Sequence, residues 1–409
     1  MGRNRPKGGL LGGSDILRIP DAPTISATAG NTEIEVAFTN PSDVGASAIS
    51  SYTAIAQEGG NVTTASGSTT PVTITGLSNG TSYSVTGTAN NDFGASIQSS
   101  ASSVTPVAPF GGGTAGLFYG GNGNVVHGIT IASTGNAEDF GDPHSNNVYY
   151  CGSCASSTRA VFIGGANGQV WDIMEYYTFT TKGNGTDFGD MSVAAYGLNN
   201  GVVSSSTRGV YSFGRQYSGS YSYVNVIEYI TIASPGNATD FGDNAHVKYW
   251  HSGCSSPTRG IFAGGSNNGS LANATTDISY ITIASTGNSS GFGSLSVGAG
   301  LINFSGAGSS TRGIFFGGRN ASSSDGIVDI LYITIASTGN SSDFGDCSAI
   351  TDFNAATSSS TRAVVALGQS RNTLEYVTIA STGNTTDFGD LTTVYGGGTA
   401  TSQVHGGLS

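Results

Sequence analysis

Few residues in this 409-residue sequence have types and spacing that could support redox or metal chemistry. Cys151 and Cys154 form a C-x-x-C pair, which occurs in redox sites and in halves of zinc sites. No second C-x-x-C accompanies it, and His144 is the only nearby histidine. Cys154 and Cys254 also occupy one position of a repeat, whereas Cys347 does not. We therefore expect small buried side chains here, with no metal and no cofactor.

Signals for catalysis are also weak. None of the five histidines lies near a Gly-x-Ser-x-Gly sequence. Asp-Phe-Gly occurs five times in the repeats, without the Gly-rich loop, strand lysine and catalytic loop of a kinase. Glutamate is scarce, so the paired carboxylates of a glycoside hydrolase would have to be the recurring aspartates. Those aspartates lie in equivalent repeats and would be far apart if the repeats form a ring. The sequence predicts a protein that is not an enzyme, and a polysaccharide-degrading enzyme is the least favoured alternative.

One arginine recurs at a fixed repeat position and is a candidate for binding. If its strand were innermost in a closed ring, the side chains would surround one end of a central channel and could bind an anion or an acidic glycan. The alternative is an ion pair between repeats, with an aspartate that also recurs. The arginines are Arg159, Arg208, Arg259, Arg312 and Arg362, and the aspartates are Asp142, Asp190, Asp243, Asp346 and Asp390.

A second candidate binding site comes from loops that differ between repeats. The loop at 216–223 contains Tyr217, Tyr221 and Tyr223 among Ser and Gly, a composition typical of adaptable recognition loops. Trp250, next to Tyr249 and His251, could add a sugar-stacking surface. A purely structural role is the alternative for Trp250.

Charge is sparse and uneven along the chain. Charged residues make up 10% and the net charge is −12, which disfavours nucleic acid and anionic membranes as partners. No stretch approaches the roughly 18 apolar residues of a membrane span, so no insertion is expected. Residues 1–19 lack periodicity and are predicted to form an extended arm that anchors the protein, or a solvated tail. The anchoring candidates are Arg3, Arg5, Lys7, Leu10, Leu11, Ile16 and Leu17.

Residues 20–108 alternate apolar and polar side chains with the period of half-buried strands. The segment from Leu77 through Tyr83, Val85 and Ala89 to Ser96 resembles the second half of a fibronectin type III domain. The resemblance implies a β-sandwich in which the hydroxyl of Tyr83 holds a backbone corner. Phe38 stands where that family usually has Trp, and Gly87 where it usually has an apolar residue.

Residues 109–409 contain a repeat of about 50 residues. Its phrase "Thr-Gly-Asn-x-x-Asp-Phe-Gly-Asp" places Phe at 140, 188, 241, 292, 344 and 388. Gly-Gly ends an apolar strand, and a strand with Tyr follows, which resembles kelch repeats. The resemblance implies a six-bladed β-propeller, and the whole chain is expected to be all-β. A degenerate copy, Ala400 to Gly407, follows the sixth repeat, and whether 399–409 completes the first blade is open at this point.

The phrase "Ile-Thr-Ile-Ala-Ser-Thr-Gly-Asn" and the terminal "His-Gly-Gly-Leu" resemble virion proteins of marine tailed phages, especially cyanophages. That resemblance implies a structural protein on the tail or capsid exterior, released by lysis and present in multiple copies. The arm would contact other virion proteins, and the propeller loops would bind a host-surface glycan or protein, as in a tail fibre or baseplate adhesin. The alternative is a decorating protein without a specific receptor.

Overall fold

The structure is a computed structural model that describes residues 18–106, 114–121, 123–144, 148–195, 197–198, 200–322 and 324–404. The expectation of an all-β protein is confirmed: these residues form antiparallel sheets without an α-helix, and one 3₁₀ turn spans Leu271–Asn273. The chain separates into two compact units, Met1–Ala108 and Pro109–Ser409. The anchoring candidates at positions 3–17 lie outside the described residues.

The first unit contains two antiparallel sheets around one core. The smaller sheet has the order β1 (Thr24–Ala29), β2 (Glu33–Thr39), β5 (Val72–Thr75). The larger has the order β4 (Asn61–Gly67), β3 (Ser51–Glu58), β6 (Tyr83–Asn91), β7 (Gly94–Ala95), and β8 (Ser102–Val104) also pairs with β6. Every second residue of β2 and β3 is buried, as period-two alternation predicts.

Two sequence features of the first unit have direct structural explanations. The Tyr83 ring is buried, and its hydroxyl accepts a hydrogen bond of 3.0 Å from the Ser78 backbone N–H, as expected. Gly87 faces the Phe38 ring, and a Cβ at Gly87 would lie 2.3 Å from that ring. The two departures from the fibronectin pattern therefore complement each other, because the missing side chain makes room for Phe38.

The second unit contains six four-stranded antiparallel sheets, which we number I to VI in chain order. Sheet I has the order β11 (Glu138–Gly141), β10 (Val126–Thr130), β9 (Ala115–Tyr119), β36 (Thr399–Ser402). Sheet II has the order β12 (Gly152–Ala155), β13 (Arg159–Ala166), β14 (Val170–Thr178), β15 (Thr186–Asp190). Sheet III has the order β16 (Val202–Ser204), β17 (Arg208–Ser212), β20 (Val226–Thr231), β21 (Thr239–Asp243).

The remaining three sheets repeat this arrangement. Sheet IV has the order β22 (Ser252–Ser255), β23 (Arg259–Ala263), β24 (Asp277–Thr282), β25 (Ser290–Ser294). Sheet V has the order β27 (Ser305–Gly308), β28 (Arg312–Phe316), β30 (Ile327–Thr334), β31 (Ser342–Thr351). Sheet VI has the order β32 (Ala355–Ser358), β33 (Arg362–Ala366), β34 (Arg371–Thr378), β35 (Thr386–Tyr395). Two short pairs are separate: β18 (Arg215–Tyr217) with β19 (Tyr221–Tyr223), and β26 (Leu301–Ile302) with β29 (Arg319–Asn320).

The first strand of each sheet from II to VI, together with β36, forms a closed cycle of contacts. β12 contacts β16, and the cycle continues through β22, β27, β32 and β36 back to β12. The strand β36 pairs antiparallel with β9, so the degenerate last copy completes sheet I. The six sheets are therefore arranged as a ring, with these six strands around its axis.

Small residues fill the axis of the ring. The strand sequences are Gly-Ser-Cys-Ala, Val-Val-Ser, Ser-Gly-Cys-Ser, Ser-Gly-Ala-Gly, Ala-Ala-Thr-Ser and Thr-Ala-Thr-Ser, and all these residues are buried. The Ser153 hydroxyl lies 2.8 Å from the Thr399 hydroxyl, and Ser255 donates to the Ser204 carbonyl at 3.0 Å. Only short side chains allow six strands to approach one axis this closely.

The recurring phrase joins each sheet to the next. In all six junctions the Gly of this phrase, which follows Lys182 in sheet II and Pro235 in sheet III and Thr elsewhere, donates its N–H to the carbonyl of the Phe in the preceding sheet, at 2.6–2.9 Å. The Asn side chain accepts the N–H of the residue two positions after that Phe, at 3.0–3.1 Å. The glycine after each Phe is required because the two sheets approach each other closely here: a Cβ at Gly293 would lie 2.1 Å from the Gly339 carbonyl oxygen.

Candidate functional site

The five recurring arginines do not lie on the axis. Each begins the second strand of its sheet, and the innermost strand is the short one before it. The premise that the arginine strand is innermost was therefore wrong. The apolar pattern of the second strand made it the more conspicuous strand, whereas the axial strands carry small residues without alternation.

Each arginine links its own sheet to the next sheet of the ring. Its guanidinium stacks on the Tyr of its own sheet, with Cζ 4.2–4.6 Å from the ring centroid. Its Nη1 donates to a backbone carbonyl of the following sheet at 2.7–3.0 Å; the acceptors are Ile232, Ile283, Ile335, Ile379 and Ile131. None of the four ion pairs among the described residues joins these arginines to the recurring aspartates.

The junction between sheets I and II lacks this arginine link because Ala115 stands at the arginine position. Other contacts replace it there. Gln403 donates from Nε2 to the Ser157 carbonyl at 3.1 Å and accepts the Ala115 N–H at 2.9 Å. Lys182 and Glu138 form an exposed ion pair of 2.8 Å. Every junction is thus connected, and the arginines act as structural links in five of them.

The candidate tyrosines lie at the opposite end of the ring. Because neighbouring strands are antiparallel, the start of β17 is at one end and the loop after β17 is at the other. We call these the arginine end, defined by the five arginines, and the aromatic end. The aromatic end is defined by Tyr149, Tyr150, Tyr217, Tyr221, Tyr223, Tyr249, Trp250 and Phe353.

A tyrosine hairpin projects from sheet III at the aromatic end. Strands β18 and β19 pair Tyr217 with Tyr221, and their rings are 4.9 Å apart. The exposed fractions are 42% for Tyr217, 51% for Tyr221 and 39% for Tyr223, which are high for aromatic side chains. Arg215 lies under them, with its Cζ 3.9 Å from the centroid of the Tyr221 ring.

Two further aromatic residues connect the rings of the hairpin with the axis. The rings of Tyr223 and Tyr249 are 5.9 Å apart, and those of Tyr249 and Trp250 are 4.2 Å apart. The structure thus links the three candidate tyrosines to Trp250 by packed rings, although the ring of Tyr249 between them is itself buried. Arg215, which stacks on the Tyr221 ring, was not predicted as a site residue, although it lies two residues from a candidate.

The aromatic end also closes around the axis by a ring of backbone hydrogen bonds. The donors and acceptors are Tyr150 to Gly397, Gly397 to Phe353, Phe353 to Asn303, Asn303 to Trp250, Trp250 to Gly197, and Leu198 to Tyr150, at 2.6–3.2 Å. Beneath this ring, Asn200 donates to the Asn354 carbonyl at 3.1 Å and accepts from the Thr399 hydroxyl at 2.9 Å. The axis is therefore cross-linked below the aromatic residues.

Three members of this ring have an unusual backbone for their type. Tyr150, Trp250 and Phe353 have φ values of 60°, 60° and 54°, in the left-handed region. At the equivalent position sheet V has Asn303 and sheet I has Gly397, the types that adopt this conformation most easily. An aromatic residue there costs about 1–2 kcal/mol. All three side chains are half-buried.

Several titratable side chains are buried at this end. Burial lowers the pKa of Lys248 to about 8, and its ammonium donates to the carbonyls of Gly264 and Asp277. Burial, and secondarily the charge of Lys248, lowers the pKa of His251 to about 3. Burial raises the pKa of Asp352 to about 6, although the paired Arg319 opposes that shift.

A small cavity between sheets I and II contains another buried acid. It has a volume of about 20 Å³, and its lining includes Tyr119, His144, Trp171 and Glu175. Burial raises the pKa of Glu175, whose carboxylate accepts from the His144 backbone N–H at 2.9 Å and from the Tyr177 hydroxyl at 3.2 Å. Glu228 and Glu375 in other sheets accept similarly from Ser192 and Ser348, so this position links neighbouring sheets.

The cysteines occupy small buried positions, as the repeat position suggested. All four are free thiols, and burial raises the pKa of each one. Cys154 and Cys254 lie in axial strands. Within the described ranges, no group of three or more His, Cys, Asp or Glu side chains is arranged to hold a metal ion.

Comparison with protein-family models gives no match, and neither does comparison with curated protein sequences. Among the residues that the structure describes, no helix has the length and apolar character needed to cross a membrane.

Proposed function

We propose that this protein is a virion structural protein of the tail-fibre or baseplate type that attaches a phage to its host. In this proposal the second unit is a six-bladed, kelch-like β-propeller and the first is a fibronectin type III-like sandwich. The closed cycle of six four-stranded sheets supports the propeller assignment. The Tyr83 hydrogen bond supports the sandwich assignment. The virion assignment rests on the resemblance of the repeat phrases.

One observation carries the binding role. Among the residues that the structure describes, only sheet III carries the tyrosine hairpin, and its three exposed rings are linked to Trp250 through the buried ring of Tyr249. A feature that breaks a six-fold repeat is not needed to build the ring, and exposed aromatic clusters are typical of recognition surfaces. The ligand is a glycan or a protein of the host surface, and no reaction is assigned to the protein.

The test uses the purified full chain, labelled with a fluorophore, and marine cyanobacterial cells. We expect saturable binding that falls at least tenfold in affinity in Tyr217→Ser, Tyr221→Ser and Tyr223→Ser. The matched control is Val394→Ser, which removes an exposed apolar side chain from the outer strand β35. Saturable binding that the hairpin variants leave unchanged would move the site elsewhere. No saturable binding to any strain would favour a decorating protein without a receptor.

A further inference from the structure

We infer that Tyr150, Trp250 and Phe353, at the mouth of the ring axis, form a binding subsite for a neutral pyranose sugar. This inference rests on the proposed function, and it names a ligand class and a second location for it. Equivalent residues of sheets II, IV and VI supply the three side chains, so aromatic residues alternate with other types around the axis.

Backbone conformation is the first argument. The hydrogen-bonded ring requires a left-handed residue at this position, and Asn303 and Gly397 meet that requirement with little strain. A bulky residue with positive φ is an outlier that persists where another constraint selects it. Strain at one position could be incidental, but three aromatic residues in alternate sheets indicate a selected feature.

The chemistry of the surroundings identifies the ligand class. The seven residues that form the backbone ring carry no charge, and the charged groups next to Phe353, Arg319 and Asp352, are paired with each other. Half-exposed aromatic faces can stack on the apolar C–H face of a pyranose. Beneath them the hydroxyls of Ser252 and Ser305 and the amide oxygen of Asn354 are buried, with no hydrogen-bond partner among the described residues. Because these atoms are fully buried, the contact with a sugar would come from the aromatic faces.

The subsite is linked to the tyrosine hairpin by packed rings. The Trp250 ring stacks on the buried Tyr249, which contacts Tyr223. The Tyr150 and Phe353 rings meet edge to face, with centroids 5.7 Å apart. A sugar bound at the axis would therefore stack on Tyr150, Trp250 or Phe353 and not on Tyr249, which is buried. Asn200, which cross-links the axis below, would hold such a ligand at the surface.

The experiment replaces each aromatic residue with the glycine that sheet I already has at this position. We would titrate the full chain with maltohexaose, cellohexaose, laminarihexaose and mannohexaose by calorimetry. At least one hexaose should bind saturably, with affinity at least tenfold weaker in Tyr150→Gly, Trp250→Gly and Phe353→Gly. Asn303→Gly is the matched control and should change affinity less than twofold. The melting temperatures of the three variants should equal or exceed that of the original protein, because glycine relieves the left-handed strain.

Three results would overturn the inference. One is that none of the four hexaoses binds. Another is that the glycine variants retain full affinity. The last is that the melting temperature falls by several degrees in all three variants and the loss of affinity follows it, because the side chains would then be structural. Cell binding that persists without hexaose binding would reject the sugar subsite and leave the attachment function in place. Absence of both would reject both proposals.

Discussion

The arginine end of the second unit repeats its contacts from sheet to sheet, whereas the aromatic end differs at almost every connection. At the arginine end, five arginines make the same stacking contact and the same hydrogen bond to the next sheet. At the aromatic end, one sheet carries a hairpin and alternate sheets carry strained aromatic residues. The comparison indicates that repeated side-chain contacts maintain the ring at the arginine end, whereas backbone hydrogen bonds maintain it at the aromatic end and leave the side chains there free to vary.

The largest expected effect tests the contacts that maintain the ring. Gly293→Ala would place a Cβ 2.1 Å from the Gly339 carbonyl oxygen, so sheets IV and V would have to separate. We expect the free energy of unfolding of the second unit to fall by about 3 kcal/mol. The control is Gly339→Ala, whose Cβ would meet no atom within 4 Å, and which should cost less than about 0.5 kcal/mol. Equal urea midpoints for the two variants would contradict the close approach.

The next effect is the pH dependence of stability at the aromatic end. His251 has a folded-state pKa of about 3, below its ordinary 6.5, so the unfolded chain binds a proton more readily between these values. The contribution of His251 to stability should therefore decrease as pH falls from 6.5 toward 3, by about 2 kcal/mol between pH 6.5 and pH 5. His251→Phe, which copies Phe304 of sheet V, should flatten the slope of unfolding free energy against pH. An unchanged slope would assign the acid sensitivity to other groups.

A smaller effect is expected from removing a single arginine link between sheets. Arg259→Ala removes the contact with Tyr280 and the hydrogen bonds to the carbonyls of Ile335 and Ala336. We expect a loss of about 1 kcal/mol in unfolding free energy, with ligand binding unchanged. Arg259→Lys should not restore the loss, because lysine lacks the planar guanidinium. Reduced cell binding at full stability would instead indicate that the arginine end takes part in recognition.

The smallest effect on stability should come from the tyrosine hairpin. Gly214 and Val224 are joined by a hydrogen bond of 3.1 Å at the hairpin base, so Asn-Gly can replace residues 215–223 as a tight turn. The unfolding free energy should change by less than about 0.5 kcal/mol, because the hairpin is mostly exposed, while cell binding is lost. A large loss of stability would show that the hairpin helps to build the ring and would weaken the comparison between the ends.

Periodic features of this chain could be predicted from the sequence. The repeats and their Phe positions follow from direct self-similarity, and the Tyr83 hydrogen bond follows from a local pattern. The role of the recurring Asn of the repeat phrase was not predicted, because Asn is common throughout the chain. Its side chain joins all six pairs of sheets, and exact recurrence was the available signal.

Other features could not be predicted for physical reasons. The axial strands contain Ser, Ala, Gly and Thr without apolar alternation, so the period-two signal pointed to the strand beside them. The arginines bind backbone carbonyls, which every residue has, and so no side chain marks the partner. Tyr150 and Phe353 adopt a backbone conformation that their residue types disfavour, which hides them from any rule based on propensity.

The pairing of β36 with β9 has a consequence for biosynthesis. Sheet I combines strands from the beginning and the end of the second unit, nearly 290 residues apart by the contact between Ala115 and Gln403. While the ribosome is still translating, β9 exposes an unpaired edge that no later sheet can cover. Synthesis must therefore proceed past Ser402 before the ring can close, and nascent chains arrested earlier should be selectively sensitive to protease at sheet I.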